Sequence, residues 1–211
     1  MLVYHFLNEK YGLESLKKKR LRISRLNELN DPFEFISADT SNYVTRKVLH
    51  MRKRKTNKRV GIMCFSKNWN SPVQWAHYGD RHKGICLGFE IPDHKLLEVE
   101  YVDERIATRV FWDSFPGPYQ EFVRYALSKK FSHWKYEEEC RAIIQLGETD
   151  EGLHYSSFSE DLLLKVVLLG CRSTISKKDI QRSLGETYSH VKVFLTAVSP
   201  SLFKIIKAGD I

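Results

Sequence analysis

Strict alternation over residues 137–146 is the strongest constraint that this sequence places on the fold. Two sets of side chains alternate there: Cys140, Ala142, Ile144 and Leu146, and between them Glu137, Glu139, Arg141 and Ile143. A period of two is typical of a β-strand, whose side chains point alternately to its two faces. One face of the predicted strand is apolar, and the other carries two carboxylates and a guanidinium in a row, about 7 Å apart.

This row has two explanations. Strands disfavour glutamate, so a pair of glutamates on one face favours a functional role. A structural ladder of Glu and Arg side chains on a solvated face is the alternative. Close carboxylates raise each other's pKa, and a neighbouring arginine offsets part of that repulsion.

The pattern along the rest of the chain predicts one α+β domain over residues 1–211, with a mostly antiparallel sheet and flanking helices. No repeat, low-complexity linker or clear boundary divides the sequence. Strands are predicted near residues 2–7, 21–24, 60–66, 84–91, 97–102, 163–169, 191–195 and 202–206. Helices are predicted over residues 11–19, 41–55, 119–130 and 177–184, and from the Ser71-Pro72 pair onward. A turn is expected at residues 30–34 and a chain break at residues 115–118.

Positive charge is concentrated in the first 60 residues. That part holds 15 Lys and Arg against 6 Asp and Glu, whereas the remaining 151 residues hold 19 against 20. The basic clusters are residues 17–22 and 46–59. A focused basic region attracts polyanions, nucleic acid above all, although a solvated helix face explains the same pattern.

Composition and the absent motifs exclude several classes of protein. No run approaches the roughly 18 apolar residues of a membrane helix, and the N-terminus has no signal-peptide pattern, so we expect a cytoplasmic protein without a membrane partner. The four cysteines are far apart in sequence, which predicts buried thiols in a reducing compartment: Cys64, Cys86, Cys140 and Cys171. The sequence has no phosphate loop, dinucleotide fingerprint, nucleophile elbow or zinc helix, and we expect no metal site.

Four motifs, in this order, resemble the bacterial family known as domain of unknown function 2971. They are Asn30-Asp31-Pro32-Phe33-Glu34; Cys64-Phe65-Ser66; Trp75-Ala76-His77-Tyr78 followed by residues 82–89; and residues 134–141 around Glu137 and Glu139, with residues 166–171 as a further match. The resemblance covers nearly the whole chain. The family name carries no activity.

More weakly, the layout is similar to the ADP-ribosyltransferase superfamily. The similar features are the Tyr4-His5 strand, the helix and Leu-x-x-Ser-type strand after it, the Phe65-Ser66 strand end with its helix, and Glu137-x-Glu139. This similarity implies an ADP-ribosyltransferase-like fold with a split sheet and an NAD-dependent mono-ADP-ribosyltransferase, in the role of a bacterial toxin or phage-defence effector.

The same similarity implies roles for the candidate residues. Glu139 stabilises the oxocarbenium ion formed from NAD, and Glu137 orients or deprotonates the acceptor. The residues expected to hold NAD are Tyr4, His5, Ser66, Trp75, Tyr78 and Arg141, with the two aromatic rings stacking on the ligand and Arg141 binding pyrophosphate or pairing with Glu139. Asn30, Asp31 and His77 are expected to position the substrate. Buried core or turn positions are the structural alternative for His5, the aromatic rings and the 30–34 turn.

Two other functions stay open at this point. The first is a nucleic-acid-binding protein or a Mg²⁺-dependent nuclease, with Glu137, Glu139 and Asp31 or Glu34 as oxygen ligands. The second is a non-catalytic interaction module, in which the carboxylate–arginine row is structural. For the transferase, the acceptor is a protein, a nucleic acid or water.

Overall fold

Ten of the described strands build one large sheet through the molecule, and two others form a separate pair. A computed structural model describes residues 1–113 and 118–208. Within these residues the strands are β1 (Leu2–Leu7), β2 (Arg20–Arg25), β3 (Val60–Ser66), β4 (Ile85–Glu90), β5 (Leu96–Glu98), β6 (Glu100–Val102), β7 (Lys129–Phe131), β8 (Glu139–Gln145), β9 (His154–Ser157), β10 (Leu163–Leu169), β11 (Lys192–Val198) and β12 (Ile205–Lys207).

The strand order makes the sheet mostly antiparallel. Neighbours follow the order β12-β11-β10-β4-β1-β3-β2-β9, while β8 pairs with β3 and β5 pairs with β8. Among the described strands, the parallel pairs are β10 with β11 and β6 with β7. The prediction of a single α+β domain with a mostly antiparallel sheet is confirmed at this level.

Six α-helices lie in the described parts of the chain, and side-chain caps set where several of them begin. They are α1 (Glu9–Lys18), α2 (Tyr43–Asn57), α3 (Pro72–His77), α4 (Thr108–Asp113), α5 (Tyr119–Ser128) and α6 (Lys177–Leu184). The side-chain oxygens of Asn8, Asn42, Ser71 and Ser176 each accept a hydrogen bond from a backbone N–H in the first turn of their helix. Such caps satisfy N–H groups that have no partner inside the helix.

Two apolar clusters pack against opposite faces of the sheet. The first joins the sheet to α1 and α6 and includes Leu16, Leu87 and Ile180. The second joins β3 to α2, α4 and α5 and includes Leu49 and Phe122. The strand β8 lies between them, since its odd and even positions contact different clusters.

Burial on both sides of β8 decides one of the open questions from the sequence. Cys140 and Ala142 belong to the first cluster, as the alternation predicts, while Ile143 packs against the second. Glu139 is 5% exposed and Arg141 is 0% exposed. The interpretation of the carboxylate–arginine row as a solvated ladder is therefore wrong.

The helix α2 differs from the prediction in its buried face and its length. The helical spacing in the predicted helix over residues 41–55 puts Val44, Val48 and Met51 on one side, but Val44 is 64% and Met51 is 55% exposed. Leu49 is the large buried side chain instead, and it belongs to the second cluster. The cap at Asn42 starts the helix later than predicted, and the helix runs to Asn57. Helical spacing therefore predicted the element, while the choice of core face depends on aromatic partners elsewhere in the chain.

Several other elements differ from the prediction. Residues 97–102 form parts of two short strands, β5 and β6, and residues 129–130 belong to β7 instead of the preceding helix. The strand β9 and the helix α4 were not predicted. Of the predicted chain break, residues 115–117 lie outside the described residues. Among the four thiols, Cys86 and Cys140 are buried, as predicted, whereas Cys64 and Cys171 are partly exposed.

The sheet is split along one edge of β3, and this split positions the candidate site. The strand β2 pairs with the start of β3 through Ser24 opposite Ile62. The strand β1 pairs with its end, through Tyr4 opposite Ser66. In the described structure residues 63–65 of β3 pair with neither strand, because β1 and β2 diverge there. The gap opens a polar pocket beside the middle of β3.

Candidate functional site

A pocket of about 280 Å³ lies where β1 and β2 diverge along the edge of β3. Its wall combines side chains from five strands (β1, β2, β3, β7 and β8), from α3 and the residue after it, from residues 28–34 and from Glu137. The lining residues are Tyr4, His5, Phe6, Arg22, Ser24, Glu28, Leu29, Asn30, Glu34, Ile62, Cys64, Phe65, Ser66, Gln74, Tyr78, Lys130, Glu137 and Glu139. Most of the residues that the sequence singles out therefore meet in one place.

Strand register explains why three of these residues share one face. Tyr4 lies opposite Ser66 on the neighbouring strand, and Ser66 lies opposite Glu139 on the next. Directly opposite residues of antiparallel strands point to the same face of a sheet. The row Tyr4, Ser66 and Glu139 therefore crosses β1, β3 and β8 at the pocket.

Glu137 reaches the pocket by a route that strand periodicity does not predict. The strand begins only at Glu139, and Glu137 is the last residue of a 3-10 helix, Ser132–Glu137. Between them Glu138 has a left-handed backbone, with φ of 44°. Its side chain is exposed and accepts a hydrogen bond from Asn68. This reversal brings the carboxylates of Glu137 and Glu139 to the same cation.

Arg141 holds two carboxylates from inside the protein. Its Nη1 and Nη2 donate to the two oxygens of Glu34 at 2.7 and 2.6 Å. Its Nε and Nη2 donate to the two oxygens of Glu139 at 2.7 and 2.9 Å. The fifth N–H donates to the carbonyl oxygen of Leu127 at 3.0 Å. All five donors of the guanidinium are thus used, so Arg141 has no N–H left for a ligand.

Lys130 completes the buried charge cluster. Its Nζ lies 2.5 Å from Glu137, 2.8 Å from Glu139 and 3.7 Å from Glu34. Three carboxylates therefore face two cations, which leaves one negative charge in excess when all five groups are ionised. Burial alone would lower the pKa of Lys130, but the three carboxylates outweigh burial and raise it. Lys130 is consequently a fixed ammonium at neutral pH.

The two glutamates of the pair differ in their environment. Burial acts to raise the pKa of Glu139, but the charges and hydrogen bonds of Arg141 and Lys130 outweigh it and lower the pKa to about 2. For Glu137, burial dominates over Lys130 and raises the pKa. Glu137 is therefore the carboxylate of the pair that takes up a proton more readily, whereas Glu139 stays ionised at neutral pH.

A polar relay connects Glu137 to the surface. The hydroxyl of Tyr78 donates to Oε1 of Glu137 at 2.5 Å, and the exposed side chain of Asn30 donates to Tyr78 Oη at 2.8 Å. Burial, and then the hydrogen bond to Glu137, raise the pKa of Tyr78. Tyr78 therefore keeps its proton and donates it to the carboxylate.

Two other predicted residues are held by local bonds in the pocket wall. His5 Nδ1 lies 2.7 Å from the carbonyl oxygen of Cys64, which only accepts, so Nδ1 carries the proton. Burial lowers the pKa of His5, which leaves Nε2 as an acceptor in the neutral ring. The Ser66 hydroxyl donates to the carbonyl of Asn68 and accepts from Gln74 at 3.0 Å. The Ser66 hydroxyl thus stabilises the pocket wall, and its proton is already donated within the protein.

Three predicted residues do not take their expected roles, and Arg141 takes only one of its two. Trp75 is 0% exposed and packs edge-on against Phe6 at 5.1 Å, so neither ring face is open for stacking. Arg141 pairs with Glu139, as one expectation had it, but it is too buried to meet pyrophosphate. His77 is exposed, does not line the pocket and contacts Tyr136. Asp31 is buried and accepts from the backbone of Phe33, which fixes the predicted turn.

Sequence reasoning missed Gln74, which lines the pocket and is 1% exposed. Its Nε2 donates to Ser66 Oγ and at 2.7 Å to the carbonyl oxygen of Tyr136, which settles the orientation of the amide. Its Oε1 is buried and has no hydrogen-bond partner among the described residues. An unpaired buried acceptor in a pocket wall indicates a place for a donor from a ligand.

Acid should remove part of the stability that Glu139 contributes. Its folded-state pKa of about 2 lies below the unfolded value of about 4.3. The ionised form therefore favours the folded state by about 3 kcal/mol, fully above about pH 5 and progressively less as the pH falls towards 2. We expect the difference in unfolding free energy between wild type and Glu139→Gln to shrink by this amount from pH 7 to acid. Urea unfolding at several pH values measures it.

The neighbouring Glu138→Gln is the matched control for this titration, because Glu138 is exposed. Its unfolding free energy should follow wild type at every pH. A difference between wild type and Glu139→Gln that stays constant from neutral to acid pH would contradict the assignment.

The three clustered carboxylates form no metal site in the described structure. Among these residues no group of three or more His, Cys, Asp and Glu side chains is arranged to hold a metal ion. The ammonium of Lys130 lies among the oxygens that a Mg²⁺ ion would need. In the described parts of the chain, no helix is both long enough and apolar enough to span a bilayer.

Comparisons with known proteins assign this chain to no family. No family model matches the chain, and no curated protein or solved structure matches it either. The resemblances to domain of unknown function 2971 and to ADP-ribosyltransferases therefore stay predictions, and the geometry of the pocket carries the functional argument.

Proposed function

We propose that this pocket binds NAD and cleaves its bond between nicotinamide and ribose, as in an ADP-ribosyltransferase-like enzyme. The observation that carries the proposal is Glu137. It is a buried carboxylate with a raised pKa in the wall of a pocket, and Tyr78 and Lys130 hold its two oxygens. A carboxylate whose pKa is perturbed by burial and by a specific charged partner, in the wall of a pocket, is a candidate functional group.

The two glutamates take different roles from those expected from the sequence. The oxygens of Glu139 are already engaged by Arg141 and Lys130, so this carboxylate positions the cluster. Glu137 has fewer partners, and its Oε1 accepts a hydrogen bond only from the Tyr78 hydroxyl among the bonds described. We therefore assign the catalytic role to Glu137 and a positioning role to Glu139.

The reaction balances with these groups. The bond from ribose C1′ to the nicotinamide nitrogen breaks, its electron pair goes to that nitrogen, and C1′ becomes an oxocarbenium ion. The carboxylate of Glu137 stabilises this positive charge, as carboxylates do in glycoside hydrolysis. The acceptor then bonds to C1′ through its nucleophilic atom, and its proton passes to Glu137, whose raised pKa suits a general base.

The unpaired oxygen of Gln74 supports nicotinamide as the leaving group. Nicotinamide carries a carboxamide, whose N–H group can donate to Oε1 of Gln74. His5 Nε2 is a second acceptor in the same wall. A pocket without these acceptors would bind an apolar ring equally well, so the two groups supply specificity.

The pocket is large enough for part of the dinucleotide. Its volume of about 280 Å³ is near the lower end of the roughly 300–1,000 Å³ typical of ligand pockets. Nicotinamide and its ribose fit this volume, while the rest of NAD extends along the rim. Arg22 is at that rim, half-exposed and paired with Glu28, and it replaces Arg141 as the candidate for pyrophosphate.

Release of nicotinamide tests the proposal. Wild-type protein incubated with NAD should release free nicotinamide, followed by chromatography, and millimolar NAD should raise its melting temperature because NAD binds only the folded state. Glu138→Gln should behave as wild type. If the wild-type protein releases no nicotinamide and NAD does not shift its melting temperature, the proposal is overturned.

A further inference from the structure

The helix α2 and the two residues after it hold an unusual concentration of positive charge. Residues 46–59 contain eight basic side chains and no acidic one: Arg46, Lys47, Arg52, Lys53, Arg54, Lys55, Lys58 and Arg59. The formal net charge of the whole chain is +8. The other Lys and Arg residues therefore equal the Asp and Glu residues in number, and this segment carries the entire excess.

These cations are not neutralised within the protein. In the described parts of the chain, none of the eight forms an ion pair, although basic side chains elsewhere do so with Glu14, Asp150, Glu98 and Glu90. Uncompensated charge on one element repels itself and costs stability, so its concentration on one helix calls for an anionic partner.

The fold presents most of these cations on one outer surface. Leu49 is buried on the inner side of α2, where the guanidinium of Arg52 lies 4.3 Å from the ring centre of Phe122. Six of the eight cations are exposed, and we call them the basic face: Arg46, Lys47, Arg54, Lys55, Lys58 and Arg59. The helix has 15 residues and is about 22 Å long, which is the rise of about six base pairs.

The basic face ends at the rim of the pocket. The side chain of Asn57, at the end of α2, accepts from the backbone of Asn27 at 3.0 Å. The segment after Asn27 contributes Glu28, Leu29 and Asn30 to the pocket wall. Lys53 also donates to the carbonyl oxygen of Glu34, at 2.7 Å. A polyanion on α2 would therefore extend towards the site.

We propose that the basic face binds the sugar-phosphate backbone of a nucleic acid. Rows of exposed Lys and Arg bind phosphates without sequence preference. An anionic membrane surface fits less well, because an interfacial helix needs a continuous apolar face. The inner face of α2 is occupied by the core, and its exposed apolar side chains are confined to Tyr43, Val44 and Met51 among those described. The binding surface goes beyond the proposed cleavage of NAD and does not depend on it.

Salt dependence of binding tests the inference, with labelled RNA and duplex DNA of about 20 nucleotides or base pairs as probes and no NAD present. The triple variant Lys47→Gln/Arg54→Gln/Lys55→Gln removes three exposed cations, and Lys177→Gln/Lys178→Gln/Lys192→Gln is the control with the same change of charge on exposed residues elsewhere. For the wild type we expect affinity to fall steeply between about 50 and about 200 mM salt. The slope of log affinity against log salt should be smaller by about 2 to 3 for the α2 variant and nearly unchanged for the control.

Three results would overturn the inference: no binding to either probe at low salt, equal losses in the two triple variants, or binding to phosphatidylserine vesicles in place of nucleic acid. Urea unfolding curves of both variants should match wild type, because all six substituted side chains are exposed. Since the binding assay contains no NAD, a failure to bind nucleic acid and a failure to cleave NAD are separate results.

Discussion

Replacing Arg141 with methionine should lower the free energy of unfolding by about 3–5 kcal/mol, which is typical when one partner of a buried ion pair is removed. Methionine keeps much of the volume but donates no hydrogen bond. Glu34 would lose both of its short bonds to Arg141, and Glu139 would keep Lys130 as its remaining charged partner. Both carboxylates are at most 5% exposed, so water cannot replace the lost donors.

Urea unfolding of Arg141→Met at pH 7 measures this loss, and Arg182→Met is the matched control. Arg182 forms a single ion pair and its side chain is 81% exposed. The control should stay within about 0.5 kcal/mol of wild type, as surface substitutions usually do. Arg141→Lys should also be destabilised, because an ammonium cannot reproduce two bidentate contacts. A stability of Arg141→Met equal to that of the control would show that the cluster contributes little.

Sequence patterns predicted those features that follow from residue type and spacing within a short segment. The alternation after Glu139 correctly predicts which side chains of β8 face the first apolar cluster. The Ser71-Pro72 start of α3 was predicted because a cap and a first-turn proline act within a few residues. Local rules of this kind need no knowledge of the rest of the fold.

The parts that were not predicted depend on residues distant in sequence. Lys130 contacts Glu34, nearly a hundred positions earlier, and nothing about two adjacent lysines after a helix indicates burial. Gln74 becomes notable only because its oxygen is left unpaired at the pocket. Glu137 was assigned to a strand, since period-two spacing does not detect the left-handed residue at Glu138. Side-chain burial and long-range pairing therefore decide the roles that spacing leaves open.

Glu137→Gln and Glu139→Gln should fail in different ways, because the two carboxylates have different partners. In Glu137→Gln, Lys130 keeps Glu139 at 2.8 Å, and the Tyr78 hydroxyl can donate to the amide oxygen. Its free energy of unfolding should stay within about 1 kcal/mol of wild type, since no buried cation loses its last partner. Nicotinamide release should nevertheless fall by about 10²–10⁴-fold, the usual range for losing a general acid–base group.

Glu139→Gln should show the opposite pattern, with a large loss of stability and a smaller loss of activity. Arg141 and Lys130 both lose an anionic partner, so this variant should be less stable by about 3 kcal/mol at pH 7. Release of nicotinamide per folded molecule should fall less than in Glu137→Gln, because Glu139 acts on the substrate only through the cations it holds. Urea unfolding and nicotinamide release, measured on the same preparations, separate the two effects.

The segment supplies its own control, since Glu138→Gln changes the exposed carboxylate between the two. Both its stability and its activity should match wild type. A Glu139→Gln protein that is as stable as wild type yet inactive, together with an active Glu137→Gln, would return the catalytic role to Glu139. If all three variants release nicotinamide at the wild-type rate, the carboxylates do not act on the bond at all. The contrast between adjacent carboxylates therefore tests the assignment of roles independently of how stable the buried cluster is.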